Sequence, residues 1–297
     1  MNFPKVETID DLFFNVHEND LRSSFSNIQR NPHYKWIPSD TEELFLKNCE
    51  KYRDTEDTQI ADTLEYYKNN PIDYYLNEVS FRDSSLNSKP YEVDVYLGCS
   101  FTLGIGVHRE DSWTYKLEEY LDFPSINAGL PGTGINTHYR ILVTLSKRFK
   151  IRKVFYYFHT FQTRIEWFHS SLTSNKLNRY LHLASTSTNV SENDIENVLN
   201  ENNRTLWMHS GFYALKGFCE SRGIQFYYQY MHNSDRLYHA SFNNPVIADY
   251  KFDVSRDYLA RDLGHRSIRE NHYIFLYFLG LMGEKIFENF CFPFGNS

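Results

Sequence analysis

The chain has 297 residues, 41% of them hydrophobic and 23% charged, which is material for one large core with an extension. Its formal charge of -7 leaves no basic excess to track a phosphate backbone, so nucleic-acid binding is not expected. No run of about eighteen apolar residues exists for a membrane span, and the start, MNFPKVETIDDLFFNV, has no apolar segment flanked by basic residues. A cytoplasmic location without membrane contact is the expectation.

Residues 1–90 read as an extension, mainly helical, that packs on the main domain or caps its active-site edge. One helix opens at Thr41-Glu42-Glu43 and carries Leu44, Phe45 and Leu46, with Ser39 or Asp40 as its cap. A second runs from Thr58 to Lys68 and stops before Asn69-Asn70-Pro71. Residues 73–81 (DYYLNEVSF) suggest a short strand, and the polar DSSLNSK after it a surface loop.

From Tyr91 onward the pattern becomes strand, helix, strand, helix, which predicts a parallel sheet in a domain covering residues 91–297. The first strand alternates at Val93, Val95 and Leu97 and breaks at Gly98-Cys99-Ser100. Asp111-Ser112-Trp113 starts a helix with Trp113, Leu117 and Leu121. Residues 123–127 form a second strand, ending in NAGLPGTG, and a helix follows over residues 136–147. Ile151 to Phe158 is a third strand, without clean alternation, as expected when both faces are covered. Residues 170–203 are polar and read as a surface insertion with one short helix capped by Ser191, or as a lid. A helix over residues 205–221, a fourth strand over 224–231 and a long apolar-striped helix from Ser267 to Phe290 complete the chain.

Cys49, Cys99, Cys219 and Cys291 include no C-x-x-C pair, which fits a reducing compartment better than a zinc site or a disulfide framework. The histidines, among them His108, His138, His159, His169 and His272, show no metal-ligand spacing, so neither metal nor other cofactor is expected. The aromatic content of 17% is read as core filling ahead of a carbohydrate-stacking surface.

Four pieces fall in strand-to-helix loops, which in a parallel sheet open on one edge. They are Ser100, Gly132, the polar run His159-Thr160-Phe161-Gln162, and Asp262 with His265. A hydroxyl, an imidazole to take its proton and N–H donors for an oxyanion are the requirements of acyl transfer. Taken singly, each piece has a plainer reading: a strand-to-helix turn at Ser100, a positive-φ turn at Gly132, and a helix cap with a surface histidine at Asp262 and His265. Cys99 is a conceivable nucleophile, but its side chain is expected opposite to that of Ser100. Arg164 and Arg261 read as solvated surface positions, with a clamp for a substrate carboxylate or phosphate as the alternative.

The order and spacing of these pieces resemble the SGNH/GDSL hydrolase family over about residues 90–290. The first block is Gly98-Cys99-Ser100-Phe101-Thr102-Leu103-Gly104, the second Asn127-Ala128-Gly129-Leu130-Pro131-Gly132-Thr133-Gly134, and the last Asp262-Leu263-Gly264-His265. The resemblance implies a three-layer α/β/α sandwich, flavodoxin-like, around a central parallel sheet of about five strands. It implies Ser100 as nucleophile, His265 as general base and then acid, Asp262 as the carboxylate that orients it, and the N–H groups of Ser100 and Gly132 as oxyanion donors. Two departures stand out. Cys99 replaces the family's Asp, and the third block lacks the asparagine that supplies a third donor. Gln162 is the chemically nearest replacement and Thr160 the other candidate. Loss of one such donor costs on the order of 3 kcal/mol, a hundredfold or more in rate.

The expected activity is hydrolysis of a carboxylic ester through an acyl–Ser100 intermediate. A small-molecule or carbohydrate ester is the expected substrate, with acetyl the commonest acyl group in the family. O-acyl transfer by the same triad, or a catalytically weak module that binds glycan or protein, stays open, as does the oligomeric state.

Overall fold

The computed structural model describes residues 33–37, 39–158, 165–169, 179–183, 201–230 and 258–283. Strand β1 (His33–Tyr34) pairs antiparallel with β2 (Tyr74–Tyr75), and helices α1 (Glu42–Lys51) and α2 (Thr58–Asn69) lie between them in the chain. The strand expected over residues 73–81 is therefore only two residues long. Helix α1 is capped by Thr41, whose Oγ1 accepts the N–H of Leu44 at 3.2 Å. Neither Ser39 nor Asp40 is the cap: Asp40 is buried and its carboxylate is engaged by an arginine from the far end of the chain.

The main unit continues with β3 (Glu92–Gly98), the single turn α3 (Ser100–Leu103), α4 (Trp113–Leu121), β4 (Ser125–Gly129), α5 (Ile135–Leu145) and β5 (Lys150–Phe158). A hairpin of β6 (Ile165–His169) and β7 (Arg179–Leu183) follows, then α6 (Glu201–Ser221), β8 (Gln225–Tyr230) and α7 (Ile268–Leu281). The central sheet is parallel throughout, in the order β4-β3-β5-β8. Four strands are present among the described residues, where about five were expected. They are the four apolar runs that the sequence marks, with the second displaced by two residues because Ala128 and Gly129 belong to the strand and not to the turn.

Alternation along the strands sorts the core into two faces. Val93, Val95 and Leu97 of β3, with Val154 and Tyr156 of β5, pack against Ile141, Leu142 and Leu145 of α5 and Phe212 and Leu215 of α6. Tyr96, Phe155 and Tyr157 pack on the other face against Trp113 and Leu117 of α4 and Ile274 and Phe278 of α7. Helices pack on both faces, so the inner strands carry buried apolar side chains on both sides, as in other parallel sheets. Trp113 is fully buried, and Ser112 caps its helix through the N–H of Tyr115. Ser267 and Glu270 form a reciprocal capping box at the start of α7.

Two sequence expectations change here. The polar stretch 170–203 contains β7, paired in register with β6 (Trp167 opposite Leu181), and its last residues belong to α6. The helix expected after Ser191 lies outside the described residues. Arg261 is fully buried, where a solvated surface position was expected; Arg164 lies outside the described residues.

Candidate active site

The strand order reverses direction at β3: the chain passes from β3 to β4 on one side and returns to β5 on the other. In open parallel sheets the crevice at such a switch point, outside the carboxyl ends of the strands, is where ligands bind. Ser100 is the second residue after β3 and begins α3. Gly98 ends the strand where no side chain fits, since a Cβ there would meet Thr102 Oγ1 at 2.0 Å and the carbonyl oxygen of Tyr157 at 2.8 Å. The turn closes through the N–H groups of Thr102 and Leu103 on the carbonyl of Cys99, and ends at Gly104 with φ +80°. Ser100 is 5% exposed, and its Oγ lies 3.9 Å from Cys99 Sγ. The Cys99 side chain itself is fully buried in the aromatic core on the α4/α7 face.

The segment after β4 is fastened to this turn. The Asn127 side chain donates to the carbonyl of Thr102 and to Thr114 Oγ1, both at 3.1 Å, while its oxygen accepts the N–H of Gly129. Gly129 lies so close that an added Cβ would stand 2.4 Å from the backbone nitrogen of Leu103. The N–H of Leu130 reaches the carbonyl of Gly98 at 3.0 Å. Gly132 follows with φ +74° and open space around it. Thr133, next in the chain, donates to the carbonyl of Leu130 at 2.6 Å and is joined at 2.9 Å to the buried ring of His138, which meets Tyr156 Oη at 3.0 Å. The loop bearing Gly132 is thus tied to α5 and β5 from beneath.

Asp262 and His265 stand on the turn before α7. Asp262 Oδ2 is hydrogen-bonded to His265 Nδ1, and Oδ1 accepts the N–H groups of Gly264 at 3.2 Å and His265 at 3.1 Å. Leu263, between them, is held at φ +56°, a left-handed conformation that costs an L-residue about 1–2 kcal/mol. Surrounding structure must hold such a conformation in place, and strained positions of this kind cluster at functional sites. The carboxylate side chain is 4% exposed and the imidazole 13%. The imidazole ring lies 5.1 Å from the ring of Phe101, centroid to centroid, and Phe101 is the residue directly after Ser100. The side chain of Arg266 also lies over Phe101, at 5.6 Å, and is paired with Glu270.

The structure therefore brings the Ser100 turn, the Asn127–Leu130 segment and the Asp262–His265 turn together at one end of the sheet. Gln162 and Thr160 lie outside the described residues. Phe101, which the sequence marked only as part of a motif, joins the first block to the last through the ring of His265. Asn48 of α1 also reaches this region, donating to the carbonyl of Asp262 at 3.4 Å. Nothing in the local sequence around Asn48 signals a contact with a residue so far along the chain.

In such an arrangement Asp262 fixes the Nδ1–H tautomer, which leaves Nε2 as the basic nitrogen. Among the described residues the N–H groups of Ser100 and Gly132 donate to no acceptor; for Ser100 this is usual, since it opens a helical turn. No protein-family model matches this chain, and no curated protein matches it in sequence.

Proposed function

We propose that the protein is a serine-dependent esterase with an SGNH-like, flavodoxin-like three-layer fold. The observation that carries the reading is the Asp262–His265 hydrogen bond, with the imidazole packed on the residue next to Ser100 at the switch point of the sheet. Ser100 Oγ attacks the carbonyl carbon of an ester as His265 Nε2 takes the hydroxyl proton. The oxyanion is held by the N–H groups of Ser100 and Gly132. The imidazolium, stabilised by Asp262, returns its proton to the leaving alkoxide. Water, activated by the same imidazole, then releases the acid and restores Ser100. A sugar hydroxyl in place of water makes the same machinery an O-acyltransferase. Acyl esters of carbohydrates are the substrate class that the motif resemblance suggests.

The test is turnover of p-nitrophenyl acetate by the native protein, Ser100→Ala and His265→Ala. Turnover in the native protein that disappears in both variants supports the esterase. Equal background from all three overturns it and favours a binding module. An acceptor sugar added to an active preparation, with acylated sugar as the readout, separates transferase from hydrolase.

A further inference from the structure

The residue before Asp262 closes a buried circuit that runs through four distant segments of the chain. Gly106, on the loop that leaves the Ser100 turn, donates its N–H to Tyr74 Oη at 2.9 Å. Tyr74 donates its hydroxyl to Asp40 Oδ2. The Asp40 carboxylate accepts from Arg261 Nε at 3.0 Å and from Arg261 Nη2 at 2.7 Å. The N–H of Arg261 returns to the carbonyl of Gly106 at 2.8 Å. Arg261 and Tyr74 are fully buried, Asp40 is 1% exposed, and the guanidinium is stacked on Trp36 at 3.8 Å. A second buried arginine, Arg82, holds the same loop by donating to the carbonyls of Gly104 and Val107.

A buried ion pair contributes little to stability compared with apolar side chains of the same volume, and one of its attested uses is to fix a unique arrangement. What this one fixes is specific. Gly106 approaches the last block so closely that a Cβ on it would meet Ala260 Cβ at 2.7 Å and Asp262 Oδ1 at 3.0 Å. The circuit therefore sets the distance between the loop leaving Ser100 and the turn carrying Asp262 and His265. Of its four members only Arg261 adjoins the acid–base turn, and two come from the extension before residue 90.

We propose that Arg261, locked by Asp40 and Tyr74, is a positioning residue that sets the Asp262–His265 turn against the Ser100 turn, and that the extension is retained for this purpose. The inference rests on the esterase reading. Tyr74→Phe removes one hydroxyl and no volume that the core needs, so it is the mild variant; Asp40→Asn and Arg261→Lys are the stronger ones. Leu215→Ala, in the α6 layer on the opposite side of the sheet, is the control for a general loss of stability. Two quantities are measured on each folded protein: the rate of labelling by a fluorophosphonate, and the far-downfield proton resonance of the His265 ring N–H, assigned by its loss in His265→Ala.

The expected result is a labelling rate at least tenfold lower in Tyr74→Phe and Asp40→Asn, with a displaced or broadened His265 resonance. Leu215→Ala should melt earlier yet keep the native rate and resonance. Native rates and an unmoved resonance in Tyr74→Phe overturn the inference, as does an equal loss of labelling in Leu215→Ala. If the native protein takes no label, the esterase reading fails by itself. The resonance still decides the positioning role in that case: displacement in Tyr74→Phe upholds it and no displacement overturns it.

Discussion

Asp262 grips His265 twice, with one carboxylate oxygen on the ring Nδ1 and the other on the backbone N–H of the same residue. The second grip fixes where the imidazole starts from and the first fixes how it is turned. The turn that permits both has Leu263 in a left-handed conformation, and Asp262 Oδ1 also takes the N–H of Gly264. Tautomer, ring direction and backbone path are thus set by a single side chain.

Asp262→Asn should preserve the turn while removing the charge. The amide oxygen can keep both backbone N–H groups, but its NH₂ then faces Nδ1 and favours the wrong tautomer. Ester turnover is expected to fall by about a thousandfold or more, with the melting temperature little changed. Initial rates beside a thermal melt check this, and a rate within tenfold of native would count against the assigned role.

Gly129 and Gly132 belong to one motif but should behave differently. Alanine at 129 pushes on the backbone of Thr102 and Leu103, which cannot yield as a side chain tip would, and about 3 kcal/mol of stability should be lost. Activity should fall with it, because that backbone is the Ser100 turn. Alanine at 132 meets no atom within 4 Å and keeps its N–H, so only the strain of φ +74° remains, about 1 kcal/mol. Urea midpoints for the two variants give the comparison directly.

Burial, with a smaller push from Lys116, drives the imidazole of His272 down to about 4. Above pH 6.5 this group is neutral whether the chain is folded or not, and it takes nothing from stability. As pH falls below that value the unfolded chain gains a proton that the folded chain refuses, so stability declines until pH reaches about 4. The loss from this one group is at most roughly 3 kcal/mol. His272→Gln should flatten the fall in urea midpoint between pH 7 and pH 5, if the variant keeps its native fold by circular dichroism. An unchanged slope in such a variant would assign the acid sensitivity elsewhere.

The sheet was readable because its strands are local apolar runs and its helices have local caps such as Ser112 and Ser267. The pairing of Asp262 with His265 was readable for the same reason, since the two stand three positions apart. What could not be read were long-range partners. Asp40 has the composition of a helix cap and Arg261 that of a surface charge, and only the fold shows that each buries the other. Tyr74 and Asn48 sit in stretches with no chemical pattern at all, yet both reach the segments around the site. The β6–β7 hairpin was hidden because a polar stretch surrounds a five-residue strand whose pairing, not its composition, defines it.

Mapping a covalent fluorophosphonate adduct by peptide mass spectrometry tests the central claim most directly. The account predicts one adduct on the native protein, on the Ser100 hydroxyl, absent from Ser100→Ala and strongly slowed in His265→Ala. An unlabelled native protein, or an adduct that persists in Ser100→Ala, would contradict it.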